Sequence, residues 1–454
     1  MKTVAAISTP SGAGGIGVIR ISGDSALEVA GRCFVSVSGK RAEEMGGYTA
    51  AFGHVYDGNE LIDEGVLLVF RAPKSYTGED VAEISVHGGA YVTARTLRAA
   101  LNAGAAPAAP GEFTERAFMN GKMDLTQAEA VMTVIGSRGA QALSAAQNAL
   151  GGAVGREVGS AAEKTASLCA ALSVWADYPE DDVPAVDPSS LEKGIEEIKA
   201  SLDRLTAGYD AGLAVMKGVP AVICGRPNVG KSTLMNLLSG AELSIVTDEA
   251  GTTRDVVRGE VTVGSVLLNL SDTAGLRRSD NAVETIGVER ARAEMDRAAL
   301  ILAVFDVSEP LNEEDIRLLD YCAGRRAVAV VNKTDKSVKN ADVGLIKRRI
   351  GNVVFISAST GEGREELART VEKLLGADDI DTTAPMLVSE RQRSLCEKAA
   401  RCLDNALGAL KAGVTLDAVN VELDAALGSL YELTGKRVTE EVAKEVFSKF
   451  CVGK

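Results

Sequence analysis

GRPNVGKS, Gly225 to Ser232, decides how this 454-residue chain is read. A short apolar run of β type, VPAVICG, leads into it, and helical text, STLMNLLSG, leads out. It therefore stands at a strand-to-helix turn, where the pattern G-x-x-x-x-G-K-[ST] has a mechanical meaning. Glycines there let backbone N–H groups close around phosphate oxygens, and the helix amino end favours their negative charge. Lys231 can reach the β and γ phosphates, and the Ser232 hydroxyl can face a magnesium ion. A glycine turn with a chance lysine is the alternative, and the flanking strand and helix argue against it.

Order along the chain extends the reading. The loop is followed by AGTTRD (Ala250 to Asp255), LLNLSDTAG ending at Gly275, AVAVVNKTD ending at Asp335, and VVFISAS. Thr253 can add a second hydroxyl to magnesium, Asp272 can hold the ion's water, and Gly275 can give its amide to the γ-phosphate. In NKTD, Asp335 can accept two hydrogen bonds from guanine N1 and N2, which adenine cannot provide. Asn332 would tie the loop down, Lys333 would pack over the base, and Ser357 and Ala358 would give backbone donors to the guanine oxygen. The expected GTP contacts are Asn228, Val229, Gly230, Lys231, Ser232 and Thr233; Thr247, Asp248, Glu249, Ala250, Gly251, Thr252 and Thr253; Asp272, Thr273, Ala274 and Gly275; Asn332, Lys333, Thr334 and Asp335; and Ser357, Ala358 and Ser359. Lys231 and Thr253 are expected to act in catalysis, with magnesium on Ser232 and Thr253. After DTAG comes Leu276, where Ras-like proteins place a water-orienting glutamine. Either the chain is a slow binding switch, or a cation, an acid or a second subunit completes hydrolysis. Glu284 is the candidate acid, although a glutamate starting a helix is also well placed against the helix dipole.

Composition bounds the remainder. With 49 basic and 63 acidic residues the net charge is −14, which opposes indiscriminate nucleic-acid binding, so RNA contact requires a local patch or a partner. Seven scattered cysteines without a CxxC pair suit a reducing cytoplasm. Two histidines, His54 and His87, leave little material for a His-rich metal site or a histidine triad. The longest clear apolar run, Ala298 to Phe305, is far short of the roughly 18 residues of a membrane span, and the start, MKTVAAISTP, lacks a signal-peptide stretch.

The pattern divides the chain into four segments. Residues 1–119 read as an α+β domain of short strands (VAAIS, GVIRIS, GVLLVF, VAEISVHGG) with one helical stretch near Tyr91 to Leu101. Residues 120–215 are Ala-rich and helical, broken at PEDDVPAVDPSS, with a further helix from about Leu191 to Ala214. Residues 216–378 are the nucleotide domain, and residues 379–454 are helical again. The two helical blocks are expected to pack together with the α/β domain inserted between them. GAGGIG, Gly12 to Gly17, satisfies G-x-G-x-x-G, but β-type VIRISG follows where a dinucleotide fingerprint would open a helix, so it reads as a turn between strands.

These features together resemble one family, the tRNA-modification GTPases called MnmE or TrmE. The carriers are TPSGAGGIGVIRISG, YTGEDVAEISVHGG, PGEFTERAFMNGKMDLTQAEAV, GRPNVGKSTLMNLL, GTTRD, DTAGLR and EEVAKEVFSKFCVGK, spread over nearly the whole chain. The resemblance implies a multidomain α/β and α protein: an amino-terminal folate-binding domain that forms a homodimer, a helical domain split in sequence, and an inserted Ras-like P-loop GTPase domain. It implies an FAD-containing MnmG (GidA) partner, FAD being on that partner. The pair would add an aminomethyl-type group to carbon 5 of the wobble uridine in certain tRNAs, with the one-carbon unit from methylenetetrahydrofolate. The implied contacts for a tetrahydrofolate derivative (methylene- or 5-formyl-) are Arg20, Glu79, Lys122 and Lys454. The resemblance also implies potassium in place of an arginine finger, at Asn228 and the stretch Thr247 to Thr252, with Thr247, Glu249 and Thr252 as ligands, and Glu284 helping to arrange the water. Cys451 lies in the terminal C-x-G-K, with valine where isoleucine is common, as a possible nucleophile or a small packed residue. The reading of another class is a GTP-gated RNA or ribosome assembly factor without one-carbon chemistry.

Overall fold

The computed structural model describes residues 2–10, 12–137, 139–177, 187–209, 212–213, 216, 218–239, 258–271, 293–376, 381 and 383–454. The chain divides into two compact units: Met1–Met132 with Gly155–Leu202 and Ser394–Lys454, and Thr133–Val154 with Asp203–Arg393.

The first unit is built on a seven-stranded sheet, in the order β3-β4-β5-β6-β2-β1-β7. Its strands are β1 (Val4–Ile7), β2 (Ile16–Ser22), β3 (Phe34–Ser36), β4 (Thr49–Asp57), β5 (Glu60–Phe70), β6 (Val81–His87) and β7 (Ala106–Pro107). All pairings are antiparallel except β1 with β7. Along β5 burial alternates, with Gly65, Leu67 and Val69 turned inward, as the two-residue period of a half-buried strand requires. The inward face packs against helices Ala26–Cys33 and Ala90–Asn102, joining Ile19, Ile21, Leu67, Val69 and Ile84 to Ala30, Ala99 and Ala100.

Among the described residues the single helix expected in this segment is one of three α-helices, since Ala26–Cys33 and Glu112–Met119 are helical as well. Each has only eight residues, about two turns, too short for a helical period to stand out between strands. The stretch GAGGIG does lie between antiparallel strands, and the Gly14 N–H donates to the carbonyl of Gly88 at 2.9 Å. No helix opens there. The same unit joins helices from the two distant helical blocks: Lys411 on Glu390–Lys411 pairs with Glu192 on Pro188–Ala207 at 3.0 Å, and Lys199 with Asp404 at 3.5 Å. The second of these helices runs to Ala207, and Tyr209, Gly212, Leu213 and Met216 beyond it are helical as well, while the expected end, Ala214, lies outside the described residues.

In the second unit a six-stranded sheet runs β13-β12-β11-β8-β10-β9. The strands are β8 (Val219–Cys224), β9 (Arg258–Val263), β10 (Val266–Ser271), β11 (Leu300–Asp306), β12 (Ala327–Asn332) and β13 (Val353–Phe355). Only β9 is antiparallel to its neighbour. Every residue of β11 and β12 is buried, and one core contains Leu300, Leu302 and Val304 while another contains Ile301, Ala303 and Phe305. Covering both faces of a parallel sheet is what makes these strands read as unbroken apolar runs. From β8 the chain visits β9 and β10 on one side, then β11 to β13 on the other. The carboxyl end of β8 is thus a switch point, where sheets of this kind bind ligands.

Candidate functional site

The phosphate loop leaves that end of β8. Gly225 and Gly230 have φ of 151° and 99°, and Asn228 between them has 63°. A Cβ on Gly230 would lie 2.2 Å from Nδ2 of Asn332, so only glycine fits. Lys231, first residue of the helix Lys231–Ser239, donates from Nζ to the carbonyls of Gly225 (2.8 Å) and Arg226 (2.7 Å). Ser232 and Thr233 follow on the first turn, both exposed. The geometry fits a phosphate with its metal: a glycine cradle, a lysine across it and a hydroxyl at a helix amino end.

Asn332, at the end of β12, is buried and joins three loops. Its Nδ2 donates to the Val229 carbonyl at 2.8 Å, and its Oδ1 accepts the Ala358 N–H at 3.0 Å. Lys333, at φ 66°, donates to the Asn228 carbonyl (2.7 Å) and to Oδ2 of Asp306 (2.5 Å). The Thr334 N–H reaches the Ile356 carbonyl at 3.3 Å. Asp335 is exposed, and the Ser357 hydroxyl, at 2.7 Å from its Oδ1 and 3.0 Å from the Ser359 hydroxyl, holds its carboxyl below the ordinary value. Two amides expected to meet the guanine oxygen have partners inside the protein: Ser357 N–H donates to the Glu362 carbonyl at 3.0 Å, and Ala358 N–H to Asn332. Residues 247–253 and 272–275, with Leu276 and Glu284, lie outside the described residues.

The amino-terminal candidates converge at one end of the first sheet. Arg20 on β2 donates through Nε to Oε1 of Glu83 at 2.8 Å, with its guanidinium over the rings of Tyr76 (5.3 Å) and Phe113 (5.5 Å). The Lys454 ammonium is pushed below its ordinary value by burial and by the Arg20 charge beside it. The chain's last residues are seated by backbone contacts: Phe113 N–H donates to the Lys454 carbonyl (3.2 Å), Gly111 N–H to that of Cys451 (3.4 Å), and the Ser8 hydroxyl to that of Gly453 (3.1 Å). Lys122 donates to the Pro73 carbonyl at 3.0 Å, and its Cγ lies 3.4 Å from where a Cβ on Gly78 would be, next to Glu79. Glu79 is no surface carboxylate. It accepts from Ser22 at 2.8 Å and from Arg116 at 3.0 Å, with 9% of its side chain exposed. Arg116, itself buried, also pairs with Glu112 and donates to the Lys2 carbonyl. Cys451 is exposed, whereas Cys33 and Cys396 are buried, which pushes each thiol up to about 12.

Two family models match the chain: the MnmE helical domain over residues 125–451, and the GTP-binding protein TrmE N-terminus over residues 3–122. The tRNA modification GTPase MnmE of Caldicellulosiruptor saccharolyticus is 39% identical over 454 residues, covering 100% of this chain and 99% of the relative. The chain belongs to the MnmE family of tRNA modification GTPases. The MnmE of Geobacillus kaustophilus is likewise 39% identical over 458 residues, covering 100% and 99%. Among solved structures, the G domain of the T. maritima FeoB iron transporter is 28% identical over 34% of this chain and 98% of its own, with a TM-score of 0.27. As a member of the MnmE family the chain is a GTP hydrolase of tRNA modification, with an amino-terminal TrmE domain, a helical domain and a GTPase domain.

Two residues of the site left no mark in the sequence. Arg116, four residues after Glu112 in EFTERAFM, has the spacing of an ordinary surface pair on a helix, and only the fold buries it. Asp306 ends an apolar strand, and nothing local says that a lysine on the neighbouring strand's loop will reach it.

Proposed function

We propose that this GTPase depends on potassium, is activated when two GTPase domains dimerise, and works with an FAD-containing MnmG-type subunit to install an aminomethyl-type (carboxymethylaminomethyl) group at carbon 5 of the wobble uridine of certain tRNAs. The division at 119/120, 215/216 and 378/379, a homodimer formed by the amino-terminal domain, and residence in the cytoplasm belong to the same reading. Among the described residues no helix is long and apolar enough to cross a membrane.

The observation that carries the one-carbon part is the convergence of Arg20, Glu79, Lys122 and Lys454, drawn from both ends of the chain. Arg20 and Lys454 set two cations side by side with Glu83 near both. An anionic ligand would relieve their repulsion, which suits the carboxylates of a tetrahydrofolate tail. Glu79, already held by Arg116, presents a fixed acceptor to a pterin edge. Bound folate would supply the one-carbon unit; the protein's part is to bind and orient it.

For hydrolysis, Asn228 is exposed on the phosphate loop with its backbone carbonyl tied to Lys333, a position from which its side chain can face a monovalent cation. Such a cation supplies positive charge where an arginine finger would in other GTPases. Glu284 is the proposed acid, and Ser232 and Thr253 the proposed magnesium hydroxyls.

Titration of the purified chain with 5-formyltetrahydrofolate should release or absorb heat at one site per chain. No heat would favour the GTP-gated assembly factor. GTP turnover should be much faster in potassium than in sodium, and equal rates would remove the cation from the mechanism. Loss of the protein should remove the modified wobble uridine from bulk tRNA.

A further inference from the structure

We propose that Asp306 is a positioning residue for guanine recognition, acting through Lys333; this rests on the reading of NKTD as the base loop. Asp306 is the last residue of β11 and lies in register with Asn332, the last of β12. It is 3% exposed. Its Oδ1 accepts the Ser308 N–H at 2.9 Å and the Ser308 hydroxyl at 2.6 Å, and its Oδ2 accepts the Lys333 ammonium at 2.5 Å. The carboxylate is therefore fixed on one side by its own loop, leaving the other side to Lys333.

The same ammonium donates to the Asn228 carbonyl at 2.7 Å. Lys333 thus bridges the phosphate loop and the end of β11 through its ammonium. Its backbone is left-handed, at φ 66°, a conformation that a long side chain adopts only when its surroundings hold it there. Asp306 supplies that hold. Released from it, Lys333 can return to ordinary backbone angles, and Asp335, two residues on, loses the position from which its carboxylate meets the base.

A bare packing role explains the arrangement less well. A buried carboxylate is costly, and apolar residues of similar size commonly stabilise a core as well or better. Here the polar contacts of Asp306 run to its own loop at Ser308 on one side and, on the other, to Lys333 of the base loop and through it to the phosphate loop.

The experiment uses the full chain and compares Asp306→Asn, Lys333→Met, the double variant and Ser308→Ala, with Asp335→Asn as the control for the base-loop reading. GDP dissociation constants, kcat and KM for GTP, xanthine-nucleotide affinity and melting temperature are measured for each. Asp306→Asn should weaken GDP binding and raise KM by about tenfold, the loss of one charge-assisted hydrogen bond, while kcat at saturation stays within about twofold. Lys333→Met should likewise weaken GDP binding and raise KM by about tenfold, and the double variant should bind GDP no worse than the poorer single one, since one contact is being removed twice. Ser308→Ala should give a smaller loss in the same direction. A lowered melting temperature with GDP affinity within about twofold of the parent would overturn the proposal, as would losses that multiply in the double variant. Should Asp306→Asn fail to fold, Ser308→Ala decides, and unchanged GDP affinity in it overturns the proposal. If Asp335→Asn does not shift preference toward xanthine, the base-loop reading itself falls. If that variant switches while Asp306→Asn is silent, only the role of Asp306 falls.

Discussion

Gly230 and Asn332 show how closely the site is fitted at the scale of single residues. The glycine is at φ 99°, and a methyl group on it would fall 2.2 Å from the asparagine amide that ties the phosphate loop to the base loop. Both the conformation and the space exclude a side chain. Gly230→Ala should destabilise the GTPase unit by about 1–3 kcal/mol, a strained backbone plus a displaced hydrogen bond. Chemical denaturation checks the stability, and GDP binding by the folded fraction should be weaker by at least about tenfold. Normal affinity in Gly230→Ala would mean that the Asn332 tie is not needed to shape the loop. The pattern G-x-x-x-x-G-K-[ST] already marked this glycine, but the identity of its neighbour came only from the fold, because Asn332 arrives from a strand far along the chain.

At the scale of elements, the hairpin of β9 and β10 connects the segment containing GTTRD to the segment containing DTAG, and its far end is anchored. The Ser265 N–H and hydroxyl both donate to Oε1 of Glu372 at 2.7 Å, on the helix Arg364–Leu375. The hairpin turn is thereby held by the helix that closes the nucleotide domain. Glu372→Ala should cost about 1–2 kcal/mol by removing an acceptor shared by two donors. Hydrogen exchange should rise at the amides of β9 and β10 more than at β11 and β12, which are buried on both faces. A uniform rise across the sheet would show that the latch contributes only global stability. The apolar runs of β8, β11 and β12 were plain in the sequence because a strand covered on both faces has no polar positions to spare. The helix Ala26–Cys33 was not, because two turns give too few repeats of a helical period.

For the whole molecule, the last residues of the chain complete a cluster that begins at its first strand. Gly453, at φ 97°, lies so close to Ile7 that a Cβ would sit 2.2 Å from that residue's carbonyl. Lys454→Ala should weaken 5-formyltetrahydrofolate binding by about tenfold through loss of one charge-assisted contact, with the melting temperature unchanged. Gly453→Ala should lower both, since it displaces the tail. Calorimetry and thermal melts separate the two, and a Lys454→Ala chain with full affinity would remove that residue from the ligand site. The sequence by itself determined the order of nucleotide motifs, the alternation of helical and α/β segments and the family, because each is written in residues a few positions apart or in a pattern that runs along the chain. The tertiary structure alone decided that Arg116 holds Glu79 and that Asp306 holds Lys333. Such pairings depend on burial and on which surfaces meet, and a charged residue reads the same in sequence whether water or a buried partner faces it.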